Sequence, residues 1–182
     1  MRYLTPHLTR HLTRHRTTPR AASRGLTLIE LMVVITIAGL LIVAAAPSFV
    51  DYTSNARLRE AGHALQAEAL NARSEAIKRN RIVRLTTSGS TIRVHEAQDT
   101  ADMTQLRERT LAGGVTAAAA TIDFSPRGFV VDRSVAPPVE FAAASIDLAL
   151  PGVTCSADQR CPRLLVEAGG GIRLCGNKLS CP

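Results

Sequence analysis

The sequence predicts an α+β protein, a long N-terminal helix packed on an antiparallel, sheet-rich head. Three features predict it. Residues 26–49 are apolar or small except for Glu30. Residues 50–80 place apolar side chains at spacings of three and four, the signature of a helix with one packed face. From residue 81 onward the hydrophobic period changes to two, as in strands.

Length and composition set the limits. A chain of 182 residues fits one domain of ordinary size plus a membrane or targeting element. Aromatic residues make up only 3% and Trp is missing, so the core must be aliphatic and a site built on aromatic stacking is disfavoured. The formal net charge of +7 invites a nucleic-acid reading, but its position argues otherwise. Residues 1–25 hold Arg2, Arg10, Arg14, Arg16, Arg20 and Arg24 with no acid, and seven minus these six leaves +1 for residues 26–182. This leader repeats His-Leu-Thr-Arg, is broken by Pro6 and Pro19, and reads as an unfolded segment whose arginines keep that flank in the cytoplasm.

A helix over Leu26 to Phe49 would reach about 36 Å, enough to cross a hydrocarbon core. Three readings compete for it. It can be a permanent anchor, or an ordinary secretory signal of a periplasmic protein cut after Ala44-Ala45-Ala46. Neither has a use for Glu30, a carboxylate that costs roughly 2.5–3.5 kcal/mol inside a membrane unless it finds a partner. The third reading supplies one. Gly25-Leu26-Thr27-Leu28-Ile29-Glu30-Leu31 resembles the cleavage and methylation site of type IV prepilins and type II secretion pseudopilins. The resemblance implies a prepilin peptidase that cuts after Gly25 and methylates Leu26. It also implies later withdrawal into a filament, where Glu30 meets the N-terminal amine of a neighbouring subunit, so that opposite charges offset the burial. The family usually has Phe where this chain has Leu26. Pro47 also fits, because family helices often carry Pro there and a membrane helix can bend around one.

Beyond Pro47 the helical pattern continues. Leu58, Ala61, Leu65, Ala69, Ala72 and Ala76 form the packing face, while Arg57, Arg59, Glu60, Gln66, Glu68, Arg73 and Glu75 are expected mostly on other faces, with the helix ending near Asn80. The head occupies residues 81–182. "RIVRLTT" and "STIRVHEA" flank a turn at Thr87–Ser90 as a hairpin, and further strands are expected in "QLRERTLA", "ATIDFSPRGFVV", "VEFAAASIDLAL", "PRLLVEA" and "GIRLC". The Ala-rich piece after Gly113-Gly114 can be strand or loop. A long helix capped by antiparallel sheet is similar to the architecture of the GspH/FimT-like minor pilins and pseudopilins. The segment from Ile122 to Val130 looks like the Phe-x-x-x-Gly segment of that group, for which a strand, a turn at Pro126 and a second strand is the structural reading.

All four cysteines lie in the tail, residues 155–182, and an even count outside the cytoplasm argues for disulfides. Zinc fits poorly, because Cys155 and Cys161, like Cys175 and Cys181, are more widely spaced than ligand pairs usually are. Four cysteines allow three pairings. The favoured one joins Cys161 to Cys175 across a terminal hairpin and Cys155 to Cys181 outside it, the two local pairs being the alternative.

No catalytic motif, metal site or cofactor is expected. Past the leader only His63 and His95 remain, in no recognisable constellation, and Gly169-Gly170-Gly171 lacks the following helix of a phosphate loop. DNA is the rival partner, since some FimT-type minor pilins bind it through a tail motif Gly-Arg-x-Arg. Here the aligned residues are Gly170-Gly171-Ile172-Arg173, with the first Arg replaced. Arg160, Arg163, Arg173 and Lys178 still make the tail mildly basic, and Arg73, Lys78, Arg79, Arg81 and Arg84 form a second cluster where helix meets sheet. The favoured reading is a structural subunit without catalysis, held in the inner membrane with its head in the periplasm, then assembled with other pilins or pseudopilins. The Gly-x-Arg-x-Cys tail inclines it toward a pilus; DNA uptake is the alternative.

Overall fold

The computed structural model describes residues 25–97, 103–135 and 137–181, so the basic leader lies outside the described residues. Helix α1 runs Leu28–Arg79. Thr27 starts it as an N-cap: its Oγ1 accepts the Glu30 N–H at 3.3 Å and its carbonyl accepts the Leu31 N–H at 3.1 Å. Pro47 falls inside α1 without ending it. The chain separates into two compact units, the first ending at Val43 and the second covering Ala44–Pro182.

The described part of the first unit is helix over Leu28–Val43, exposed along its whole length. The stretch Leu28–Ala46 is long and apolar enough to cross a membrane, and none of it is buried within the chain.

In the second unit α1 buries one stripe. Leu58, Ala61, Leu65, Ala69, Ala72 and Ala76 all lie in the core, as the spacing predicts. Alanine at four of these positions lets the sheet come close to the helix axis, and Gly62 is trimmed further so that Leu174 seats against it. The helix stops where Asn80 adopts φ +53. The Asn80 N–H then bonds the Ile77 carbonyl and the Arg81 N–H the Ala76 carbonyl, a Schellman ending with Asn in the place more often taken by Gly.

Among the described residues nine strands follow: β1 Val83–Gly89, β2 Thr91–Ala97, β3 Met103–Thr110, β4 Thr116–Phe124, β5 Val130–Asp132, β6 Val139–Glu140, β7 Ala144–Ala149, β8 Arg163–Val166 and β9 Ile172–Cys175. They pair antiparallel in the order β3-β2-β1-β4-β7-β8-β9, with β5 on β4 and β6 on β5. The Ala-rich piece is therefore strand. Period two is visible in the burial of β1, where Val83, Leu85 and Thr87 face inward. Those side chains join Ile92, Val94, Ile122, Phe124, Ile146, Leu148, Leu164 and Val166 in an aliphatic core with one fully buried aromatic ring.

Glu68 departs from expectation. It is only 2% exposed, three residues beyond Leu65 on the flank of the packing stripe, with Arg107 and Arg109 of β3 each 3.6 Å from its carboxylate. A face judged by period alone excluded it; the two arginines of an edge strand are what make its burial tolerable.

Candidate functional site

The chemistry-bearing residues fall in three places. The first is the start of α1. Gly25 and Leu26 precede the helix, Leu26 is exposed, and Thr27 and Glu30 stand at the N-cap and third helical positions, the spacing of a capping box. This local role for Thr27 was not foreseen, although Thr-x-x-Glu before an apolar run was there to be read. The Glu30 side chain is exposed amid Leu28, Ile29, Leu31, Met32 and Val33, which are exposed as well.

The second place is the tail, where the favoured cysteine pairing is corrected. The disulfides are local: Cys155 to Cys161, with Cα atoms 5.5 Å apart, and Cys175 to Cys181, 5.8 Å apart. The register explains the difference. Arg163 of β8 lies opposite Cys175 of β9, so Cys161 faces the chain beyond Cys175, and its carbonyl accepts the Lys178 N–H at 2.7 Å. Each cysteine pair then closes its own turn, one around the bond from Ser156 N–H to the Gln159 carbonyl, the other over a 3-10 turn at Lys178–Ser180. In the chain-entropy model loops of this size contribute about 2.4 kcal/mol each.

The tail's basic side chains are largely engaged. Arg163 holds Asp147 through two bonds of 2.5 and 3.0 Å, and Lys178 approaches the same carboxylate at 3.7 Å. The Arg163 guanidinium, assisted by Lys178, keeps the Asp147 carboxyl below its ordinary pKa. Arg173 pairs with Glu167 at 3.0 Å. Arg160 has no carboxylate partner among the described residues. Gly171, where the related motif has Arg, lies against Glu167: a Cβ there would stand 2.7 Å from its Oε2.

The third place is the junction of helix and sheet. Its basic cluster is also paired, at the surface except for Arg84. Arg84 forms a two-pronged bond with buried Asp123, 2.7 Å on each prong; Arg79 and Arg81 reach Glu96; and Lys78 and Arg79 reach Glu75. Arg73 does something different. Its Nε donates to the Gly128 carbonyl at 2.9 Å, and Gly170 packs on that same carbonyl so closely that a Cβ would stand 1.8 Å from the oxygen. The Phe-x-x-x-Gly segment and the triple Gly, separated by some forty residues, are thus two sides of one contact, reinforced where the Val130 N–H bonds the Ala168 carbonyl. The Ser125–Gly128 turn carries Pro126 second and Gly128 last at φ +83.

Among the described residues no three His, Cys, Asp or Glu side chains are grouped to hold a metal ion. His63 is exposed. His95 has its pKa lowered by partial burial and by the nearby Arg93 and Arg84.

Comparison with known families agrees with this layout. A profile described as the prokaryotic N-terminal methylation motif matches residues 20–46, and one described as type II transport protein GspH matches residues 61–170. The chain belongs to the GspH family. Its fold is similar to that of the type IV minor pilin FimU of Pseudomonas aeruginosa strain PAO1. One crystal form of FimU aligns with TM-score 0.53 at 18% identity, covering 68% of this chain and 91% of that one. A second crystal form gives 0.49 at 18% identity, with 64% and 90% covered. This GspH-family chain is accordingly a minor pilin or pseudopilin, a structural subunit of a pilus or pseudopilus that assembles with other pilins.

Proposed function

We propose that the chain is made as a precursor, cut after Gly25 by a prepilin peptidase and methylated on the new amine of Leu26. Residues 26–49 hold it in the inner membrane with its N-terminus cytoplasmic and residues 81–182 in the periplasm, until it is drawn into a filament. There the Glu30 carboxylate meets the Leu26 amine of a neighbouring subunit. The observation that carries this reading is the apolar surface of Leu28–Ala46, exposed on every side while bearing one carboxylate at its start. Leaving such a surface in water costs about 25 cal/mol for each Å² that burial would remove. A bilayer covers it first and neighbouring helices afterwards, and only the second cover offers Glu30 a cation.

The test joins mass and assembly. Intact mass of the membrane-extracted protein is expected to match a chain starting at N-methylated Leu26; a start at Pro47 or Ser48 would mean a secretory signal and defeat the reading. Glu30→Gln is expected to be cut and inserted normally yet enter filaments or initiation complexes at least tenfold less. Equal incorporation would remove the role given to the carboxylate. DNA uptake is not favoured by the geometry, because Arg163, Arg173 and Lys178 already face carboxylates.

A further inference from the structure

The apolar sequence of α1 ends at Val50, and the following turns carry Tyr52, Asn55 and Arg59. Asn55 grips the Cys155–Cys161 loop with both ends of its amide: Nδ2 donates to the Asp158 carbonyl at 2.8 Å and Oδ1 accepts the Arg160 N–H at 2.8 Å. Gln159 adds a bond to Asp51. Between helix and loop lies a cleft of about 370 Å³, whose lining includes Tyr52, Ala56, Arg59, Asp158, Arg160 and Leu174. Its apolar floor and its two arginines are what the rest of the tail lacks. Arg59 and Arg160 have no carboxylate within ion-pair distance among the described residues, whereas Arg163, Arg173 and Lys178 all do. Two guanidiniums beside one carboxylate leave a net positive cleft, and the guanidinium fork fits phosphate oxygens in pairs.

Height along the helix identifies the anion. From Val50 to Asn55, the level at which Arg160 is held, α1 rises about 7.5 Å. The headgroup layer of a bilayer adds about 5–8 Å to each side of the hydrocarbon core. Tyr52, exposed between these levels, is a residue type enriched at that boundary. Arg59 stands one turn higher, within reach through its long stem.

We propose that this cleft binds the phosphoryl headgroup of an anionic phospholipid, Arg59 and Arg160 holding the phosphate while Tyr52, the lining residue nearest Val50, contacts the glycerol. The bound lipid ties the disulfide loop to the membrane surface and must be given up when the subunit leaves the bilayer. The proposal rests on the reading of residues 26–49 as a membrane span.

The test uses the full chain in a neutral detergent, titrated in parallel with short-chain phosphatidylglycerol, short-chain phosphatidylcholine and inorganic phosphate. Lipid-bound states are counted by native mass spectrometry and followed by tyrosine fluorescence, which is uncomplicated because the chain has no Trp and only Tyr3 and Tyr52. Phosphatidylglycerol is expected to bind at least tenfold more tightly than phosphatidylcholine. The double variant Arg59→Gln/Arg160→Gln is expected to lose that preference while keeping both disulfides and its circular dichroism. Equal affinity for the two lipids, unchanged binding by the double variant, or inorganic phosphate binding as tightly as the lipid would each overturn the proposal. Carbonate extraction of membranes keeps the two readings apart: a chain released by carbonate has no span, which defeats the underlying reading, while a chain that stays in the pellet without lipid preference defeats this inference alone.

Discussion

Leu40 and Leu65 are the same residue in the same helix, yet one is 69% exposed and the other has no exposed surface. Around Leu40 every turn is apolar, so no face is singled out for packing. Around Leu65 the apolar residues are confined to one stripe, with charges at Arg59, Glu60 and Glu75 outside it. A helix that is apolar all round finds its cover outside the chain; a helix with one apolar stripe finds it inside. The second region therefore stabilises the head, whereas the first leaves its apolar surface for cover from outside the chain.

Substitutions that distinguish the regions should show this in head stability. The largest effect is expected for Gly170→Ala, since the new Cβ would fall 1.8 Å from the Gly128 oxygen at a residue with φ +83. A loss of about 4 kcal/mol in head stability, read as a fall in thermal midpoint, is expected. Gly39→Ala is its control in the first region, where a Cβ would meet nothing, and it should leave that midpoint unchanged. Next comes Leu65→Ala, expected to cost about 3 kcal/mol by denaturant titration in detergent, against no measurable change for Leu40→Ala. A Leu40→Ala variant that lowered head stability as much would break the comparison.

The disulfides sharpen it at smaller scale. Cys155→Ser/Cys161→Ser should lower stability by about 2.4 kcal/mol and leave the Cys175–Cys181 bond intact on non-reducing peptide maps. A scrambled bond in that variant would mean the local pairing is not intrinsic to the two turns. Smallest is the Asp147 pair. Its folded pKa lies below the unfolded value, so its contribution is full above the ordinary aspartate value and is lost as pH falls through the folded one. Asp147→Asn should therefore cost about 1 kcal/mol at neutral pH, and the gap to the unmodified chain should close under acid conditions.

Much of the head was legible because its signals are local. The six packing residues of α1 follow from spacing alone, and most strands from alternation between turn residues; the Ala-rich start of β4, open between strand and loop, and the break between β6 and β7 did not. What escaped depends on the three-dimensional arrangement. The Gly128–Gly170 contact joins two turns that each look self-sufficient, and nothing in either shows that the other's carbonyl sits where a side chain would be. The cysteine pairing turned on a register offset of two residues, invisible before β8 and β9 were aligned. Glu68 was misplaced because its partners come from β3, a strand well along the chain from the helix. The tail arginines looked like a free basic surface for the same reason: charge can be read from sequence, but neutralisation by a particular neighbour cannot.

The ends of the sheet bear on how such a subunit stays single until it is wanted. An antiparallel sheet invites further strands at each open margin, and a protein stored at a membrane for later polymerisation could grow fibres by that route. Here β9 has four residues before Cys175 is drawn back to Cys181, too short a template to recruit another chain. At the opposite margin β3 presents Arg107, Glu108 and Arg109 in succession, and an incoming strand would have to accommodate all three. Growth by strand addition is thus discouraged at both ends of the main strand order, in keeping with the proposed joining of copies through the helix.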